Sequence, residues 1–176
     1  AAVRETFEES GVLLAGDAGS VVGDLDEDGW EHDRARLEAG EVALAEVLAS
    51  RGLMLRADLL GAWAHWITPT HEPRRYDTRF FLAVVPTGQR ADDATSEAVD
   101  AGWFRPADAL ADLRTRARTM MPPTWSTLAD LAEHDTVADA FAASYRLDPV
   151  QPVLVRDGEH RRVEFPGAER YYAAFA

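Results

Sequence analysis

Arg4-Glu5-Thr6-Phe7-Glu8-Glu9-Ser10-Gly11-Val12, close to the start of the chain, is the most specific stretch of this sequence. Residues 1–9 have the period of a helix: Val3 and Phe7 are four apart and form an apolar stripe. Gly11 follows where a glycine commonly ends a helix. The three glutamates are spaced i, i+3 and i+4, which brings them to one helical face about 5–6 Å apart at Cβ. The pattern therefore predicts a helix with an acidic face.

Three carboxylates on one face repel each other unless a cation lies between them. Oxygen-only ligands of this kind suit Mg²⁺ or Mn²⁺, which also bind substrate phosphates. The alternative is a solvated acidic face on which Arg4 pairs with Glu8. From the spacing alone, both interpretations stay open.

The composition limits the class of protein. The chain has 176 residues, of which 47% are hydrophobic and 28% charged, and this predicts one globular domain. Without cysteine it can form no disulfide or thiolate metal site. A net charge of −13 argues against broad binding to nucleic acids or anionic membranes, and no apolar run reaches the ~18 residues of a membrane helix. We expect a cytoplasmic protein. All 18 basic residues are arginine, which suggests a GC-rich bacterial genome.

The remaining sequence predicts alternating helices and strands, and thus an α/β fold with a sheet flanked by helices. Helices are expected over 31–50 with a break at Gly40, over 106–116, over 124–133, and from a Thr136 cap through Tyr145. Strands are expected over 59–68, 78–86 and 98–104, with a hairpin turning at Asp157-Gly158. Alternation in the first strand would place Trp63, His65 and Ile67 opposite Ala64 and Trp66. The aromatic residues Trp63, Trp66, Phe80, Phe81 and Trp103 are interpreted as core.

Residues 4–12 resemble the second half of the Nudix box, Arg-Glu-U-x-Glu-Glu-x-Gly-U, where U is a bulky aliphatic residue; Thr6 at the first U is the one departure. Residues 66–86 (WITPTHEPRRYDTRFFLAVVP), 97–110 (EAVDAGWFRPADAL) and 120–125 (MMPPTW) resemble the Nudix branch that contains the peroxisomal coenzyme A diphosphatases and their actinobacterial relatives. The resemblance covers most of residues 1–130. It implies that the first half of the box precedes Ala1, so that the single Nudix domain over 1–176 is partial here, with a core in 1–145 and a C-terminal extension in 146–176.

The resemblance implies a Nudix-type α/β/α sandwich with added helices at 31–50 and 106–145. It also implies metal-dependent hydrolysis of a diphosphate linkage in a nucleoside-diphosphate-linked or coenzyme A-like metabolite. Glu5, Glu8 and Glu9 would hold Mg²⁺ or Mn²⁺, and Arg4 would orient them through a salt bridge. Glu97, six residues before Trp103, is the expected further metal ligand or base; the alternative is an exposed loop acid.

The segment between the first two strands contains the expected substrate-binding residues Arg74, Arg75 and His71. An arginine fork there could hold a substrate phosphate, or it could pair with Glu72 or Asp77. His65 is interpreted as a core or edge histidine. Two other functions stay open: an inactive Nudix-fold module that binds a nucleotide metabolite or regulates, and a purely structural interaction domain. The expected partner is a small-molecule diphosphate, and homodimerisation is left open.

Overall fold

A computed structural model of the chain describes residues 1–26, 29–92, 102–115, 117–143, 148–157 and 160–174. The chain divides into two compact units: Ala1–Leu60 with Ala83–Trp103, called unit 1, and Gly61–Leu82 with Phe104–Ala176, called unit 2. Within the described ranges, no helix is long and apolar enough to cross a membrane.

Unit 1 packs three helices on one apolar core. Its elements are α1 (Ala2–Ser10), β1 (Ala15–Gly16), α2 (Trp30–Glu38), α3 (Leu44–Ser50) and β2 (Met54–Leu55), followed by a 3₁₀ turn at Ala57–Leu59. The two short strands pair antiparallel, with Ala15 opposite Leu55. The predicted break at Gly40 is confirmed, because its φ of 68° lies between α2 and α3. The predicted apolar face of α3 is confirmed as well: Leu44, Val47 and Leu48 are buried.

The described residues of unit 2 form two antiparallel hairpins and four helices. Its elements are β3 (Gly61–Ile67), β4 (Asp77–Leu82), α4 (Pro106–Arg114), α5 (Pro122–Leu131), α6 (Val137–Ala142), β5 (Val153–Asp157), β6 (His160–Glu164) and α7 (Ala168–Ala173). Strand β3 pairs with β4 and β5 with β6. Val150 bridges to β3 through backbone hydrogen bonds to His65 and Ile67, both 2.9 Å long. The core gathers the side chains of Trp66, Leu113, Trp125, Phe165 and Tyr171.

Strands β3 and β4 are shorter than the strands predicted over 59–68 and 78–86, and the predicted alternation of side chains along β3 is broken. The register of β3 against β4 shifts between Ala62 and Ala64, which leaves Trp63 as an extra, bulged residue. Because of this bulge, Trp63 and Trp66, three residues apart, are both buried. The strand predicted over 78–86 ends at Leu82.

Other predictions need correction in detail. Pro122 and Pro123 begin α5 rather than precede it, since proline is tolerated in a first helical turn. Helix α6 starts from the predicted Thr136 cap, whose hydroxyl accepts from Asp139 N, but it ends at Ala142. In the strand predicted over 98–104, residues 98–101 lie outside the described residues, and residues 102–104 are not a strand. Trp103 and Phe81 were expected in the core but are 76% and 41% exposed.

Candidate active site

The acidic helix α1 is held in unit 1 by its apolar face. Val3 and Phe7 are buried, and the ring of Phe7 contacts Trp30 edge to face at 6.0 Å. Gly11 ends the helix in the left-handed conformation, with φ 70°, and its N–H donates to the carbonyl of Phe7. The helix and its cap are therefore as predicted, with Glu5 and Glu9 on the exposed side.

Arg4 binds two of the three glutamates of the box. Its Nη1 lies 2.8 Å from both carboxylate oxygens of Glu8, and its Nη2 lies 3.5 Å from Glu5. Glu9 makes no hydrogen bond or ion pair with the described part of the chain. The side chain of Glu8 is 12% exposed and that of Glu5 is 53% exposed. This is the salt bridge that the sequence suggested, and it is compatible with a metal-binding helix and with a solvated acidic face alike.

The donors of α1 match a hard divalent cation in kind, because all are carboxylate oxygens. In the described ranges, however, no three His, Asp or Glu side chains are grouped so that together they could hold a metal ion. Glu97 lies outside the described residues. Glu5, Glu8, Glu9 and Glu97 thus remain predicted ligands, and a complete set would need donors beyond α1.

A buried arginine fastens the end of α1 to a distant loop. Arg34 is 7% exposed; its Nε donates to the carbonyl of Glu8 at 3.0 Å, and its Nη1 lies 2.8 and 2.9 Å from the carboxylate oxygens of Asp92. The backbone N–H of Asp92 donates to the carbonyl of Ser10 at 3.0 Å. We call Arg34, Asp92 and the two carbonyls the helix-end clamp. It fixes the backbone of the very turn that bears Glu8 and Glu9.

Because Gly11 has no side chain, the Asp92 and Arg34 side chains of the clamp can lie next to it. A Cβ built on Gly11 would lie 2.7 Å from Asp92 Oδ2 and 3.2 Å from Arg34 Nη1. The glycine of the box therefore has two functions in this fold. It supplies the left-handed cap, and it admits an ion pair at van der Waals distance from the helix end.

Gln89 ties the same loop to the segment that follows α1. Its Oε1 accepts from the N–H of Leu13 at 2.8 Å, and its Nε2 donates to the carbonyls of Leu13 and Val22 at 2.8 and 2.6 Å. The sequence interpretation missed Gln89, Asp92 and Arg34. One signal was available for Arg34: it lies between Trp30 and Leu37 on the buried stripe of α2, where an unpaired charge would be costly.

In unit 2, the segment between β3 and β4 is closed by Thr68. The Thr68 N–H donates to the carbonyl of Tyr76, and its Oγ1 accepts from the N–H of Tyr76, both at 2.9 Å. Arg75 Nε donates to the carbonyl of Thr68 at 3.0 Å. Arg74 makes no hydrogen bond or ion pair with the described residues.

Asp77 and Glu72, the alternative partners of these two arginines, form contacts with other residues. His65 Nε2 lies 2.6 Å and Arg79 Nη1 3.0 Å from Asp77 Oδ1, and His71 lies 3.3 Å from Glu72. The pairing of Arg74 or Arg75 with Glu72 or Asp77 that the sequence allowed is therefore wrong. Phosphate binding by Arg74, Arg75 and His71 remains a prediction.

Arg74 also borders a cleft of about 510 Å³ in unit 2, which we call the hairpin cleft. It is lined mostly by apolar side chains, with four hydroxyl groups and one carboxylate: Trp66, Ile67, Thr68, Pro69, Glu72, Arg74, Tyr76, Thr78, Phe80, Met121, Pro122, Pro123, Thr124, Pro152 and Val163.

Known proteins resemble this chain in sequence. The family model described as NUDT19 Nudix domain matches residues 1–131. The chain belongs to the Nudix hydrolase family. It is 30% identical over 138 residues to a Caenorhabditis elegans protein named as nudix hydrolase 7, a match that covers 76% of this chain and 43% of that protein. It is 27% identical over 143 residues to the Xenopus laevis acyl-coenzyme A diphosphatase NUDT19, covering 74% of this chain and 38% of that protein.

A solved structure resembles this Nudix chain as well. The crystal structure of a NUDIX hydrolase from Alicyclobacillus acidocaldarius superposes with a TM-score of 0.70 at 29% identity, covering 80% of this chain and 63% of that one. The predicted family and the α/β Nudix fold are thus confirmed. Nudix hydrolases in general use divalent metal ions. The chain spans less than half the length of the two curated relatives, so activity and substrate are matters for proposal.

Proposed function

We propose that this Nudix chain acts in the hydrolysis of a diphosphate linkage in a coenzyme A-like metabolite, in the first place an acyl-coenzyme A. The main support is the presence on α1 of Arg4 and the three glutamates of the second half of the box, together with the acyl-coenzyme A diphosphatase named among its relatives. Water would be added across one phosphoanhydride bond. The products would be an adenosine nucleotide and an acylated phosphopantetheine.

Each box residue has a proposed part. Glu5, Glu8 and Glu9 would hold Mg²⁺ or Mn²⁺, and Glu97 would add a ligand or act as the base. A bound divalent ion supplies positive charge that offsets the charge of the diphosphate and favours ionisation of water. Arg4 would keep the Glu8 side chain in place, since its Nη1 donates to both carboxylate oxygens at 2.8 Å.

The helix-end clamp supports this arrangement. Catalytic groups need positions fixed to within about 0.5 Å, which requires support from residues around them. Arg34 and Asp92 hold the carbonyls of Glu8 and Ser10 from outside α1. In unit 2, Arg74, Arg75 and His71 would bind the phosphates of the substrate. We propose that both units form parts of one Nudix domain over 1–176.

A binding or regulatory module without activity finds no support in these residues. Loss of Glu8 or Glu9 would favour it, and both are present. The two hypotheses differ in one measurable respect, which is turnover.

The test measures product release by the natural full-length protein. The substrates are octanoyl-coenzyme A, coenzyme A, ADP-ribose, NADH and a capped dinucleotide, each with and without Mg²⁺ or Mn²⁺. We expect metal-dependent cleavage of the coenzyme A compounds, and a loss of more than about 10²-fold in Glu8→Gln and in Glu9→Gln. Glu169→Gln makes the same charge change on the exposed first turn of α7 and should keep full activity. Normal turnover in Glu8→Gln at saturating metal would remove this residue from the site.

A further inference from the structure

The hairpin cleft of unit 2 has a floor built from the core of that unit. Trp66 is buried and also belongs to the core, and Phe80 and Val163 pack against it. The rim is apolar too, because Met121 is 70% and Tyr76 is 57% exposed. Large apolar side chains exposed together around a concavity mark binding sites more often than ordinary surface. The volume of about 510 Å³ lies in the usual range for small-molecule sites.

The charged groups at this cleft favour an anion beside Arg74. Arg74 has no hydrogen bond or ion pair with the described part of the chain. The one carboxylate among the lining residues, Glu72, lies 3.3 Å from His71 Nε2, so it has a partner other than Arg74. The hydroxyls of Thr78 and Thr124 add donors along the same cleft. The ligand that fits is a long, mainly apolar group with a phosphate at one end.

Resting on the proposed function, we propose that the hairpin cleft binds the acylated pantetheine arm of the substrate. The acyl chain would lie against Trp66, Phe80 and Met121, and Arg74 would pair with the phosphate at the end of the arm. This arm has the two required properties: an apolar acyl chain, and a phosphate joined to it through a thioester and a stretch with two amide groups and one hydroxyl group.

The test measures binding of a probe without a phosphoanhydride bond, so that it cannot report on hydrolysis. Calorimetry without metal compares S-octanoyl-4′-phosphopantetheine with 4′-phosphopantetheine on the natural full-length protein. We expect the octanoyl compound to bind at least about tenfold more tightly, because burial of two methylene groups is already enough for that factor. Equal Kd values for the two compounds would overturn the proposal while leaving the hydrolase assay unaffected.

Two variants separate the ends of the ligand. Met121→Gln should weaken only the octanoyl compound, by roughly threefold to tenfold, because it makes the apolar rim polar. Arg74→Gln should weaken both compounds by about tenfold, as expected for loss of a charge-assisted hydrogen bond. Met54→Gln, at another exposed apolar position, and Arg90→Gln, at an exposed arginine, both in unit 1, are the controls and should change neither Kd.

Other occupants of the cleft would give different results. If Met121→Gln left the octanoyl preference unchanged but abolished a dimer in sedimentation, the cleft would be a contact between copies and the proposal would be wrong. It would also be wrong if the controls weakened binding as much as the cleft variants.

Discussion

Gly11→Ala should destabilise unit 1 well beyond the cost of its backbone conformation. Gly11 has φ 70° and Gly40 has φ 68°, so an alanine at either position pays the same left-handed strain, about 1 kcal/mol. The two sites differ in space: no atom of the described residues lies within 4 Å of a Cβ on Gly40, whereas one on Gly11 lies 2.7 Å from Asp92 Oδ2. Gly40→Ala is therefore the matched control.

The additional cost arises from the helix-end clamp. A methyl group at Gly11 must displace the Asp92 carboxylate from Arg34. Breaking a fully buried ion pair costs about 3–5 kcal/mol. The Arg34 side chain is 9% exposed but that of Asp92 is 47% exposed, so only part of this cost applies, about 1–2 kcal/mol. We expect a loss of about 1 kcal/mol for Gly40→Ala and about 2–3 kcal/mol for Gly11→Ala.

Urea unfolding followed by tryptophan fluorescence measures both losses, with the m-value as a check that the unfolding transition is comparable. In an Asp92→Ala background the loss from Gly11→Ala should fall to that of Gly40→Ala, because the atom that the methyl group displaces is gone. Equal losses from the two glycine variants in the parent protein would refute the steric argument. An unchanged Gly11→Ala loss in the Asp92→Ala background would refute the assignment to Asp92.

Three further predictions concern metal, pH and substrate. Millimolar Mg²⁺ should raise the Tm through relief of repulsion in α1, and Glu9→Gln should reduce this shift; a Tm that does not respond to metal would exclude the metal site. Burial and the nearby Glu133 raise the pKa of Asp130 above its usual value, so its ionised form opposes folding. Asp130→Asn should therefore raise the Tm at pH 7 by about 1 °C, a gain that shrinks as pH falls towards 4, and Asp108→Asn in the first turn of α4 should show no gain. Arg75→Lys should raise KM about tenfold, or 1.4 kcal/mol, with little change in kcat; unchanged kinetics with a lower Tm would assign Arg75 to its bond with Thr68 instead.

Local patterns predicted the local elements of this fold. The stripe of Val3 and Phe7, the cap at Gly11 and the Thr136 cap each depend on residues within four positions of one another, and the structure has all three. The antiparallel pairing of β5 with β6 was predicted for the same reason, from Asp157-Gly158, of which Gly158 lies outside the described residues.

Features that depend on distant residues were not predicted. The bulge at Trp63 arises from pairing with a strand more than ten residues away, and alternation within β3 gives no sign of it. Helix α7 was not predicted for another reason. It follows Gly167 and buries Ala168 and Tyr171, but its six residues are too few to show a clear helical period in the sequence.

The candidate site also combines features that the sequence predicted with features that it did not predict. The acidic face of α1 was visible because its residues are neighbours in sequence. The helix-end clamp joins Arg34 to Asp92, 58 residues apart, through one ion pair and two backbone carbonyls, and such contacts leave no periodic signal. Similarly, sequence spacing could not decide that Asp77 and Glu72 contact His65 and His71, so that Arg74 makes no ion pair with them in the described part of the chain.

The amide of Gln89 has a consequence for solubility. It satisfies both the N–H and the C=O of Leu13, as the peptide group of a neighbouring strand would do. Leu13 lies in the apolar run Val12-Leu13-Leu14-Ala15, the kind of segment that recruits another chain when its backbone is left open. A single side chain thus pairs the backbone of a buried apolar segment just before β1, and local opening of that segment would expose it to intermolecular β-pairing. Substitution of Gln89 should therefore increase aggregation during expression and concentration, before any effect on turnover is measured.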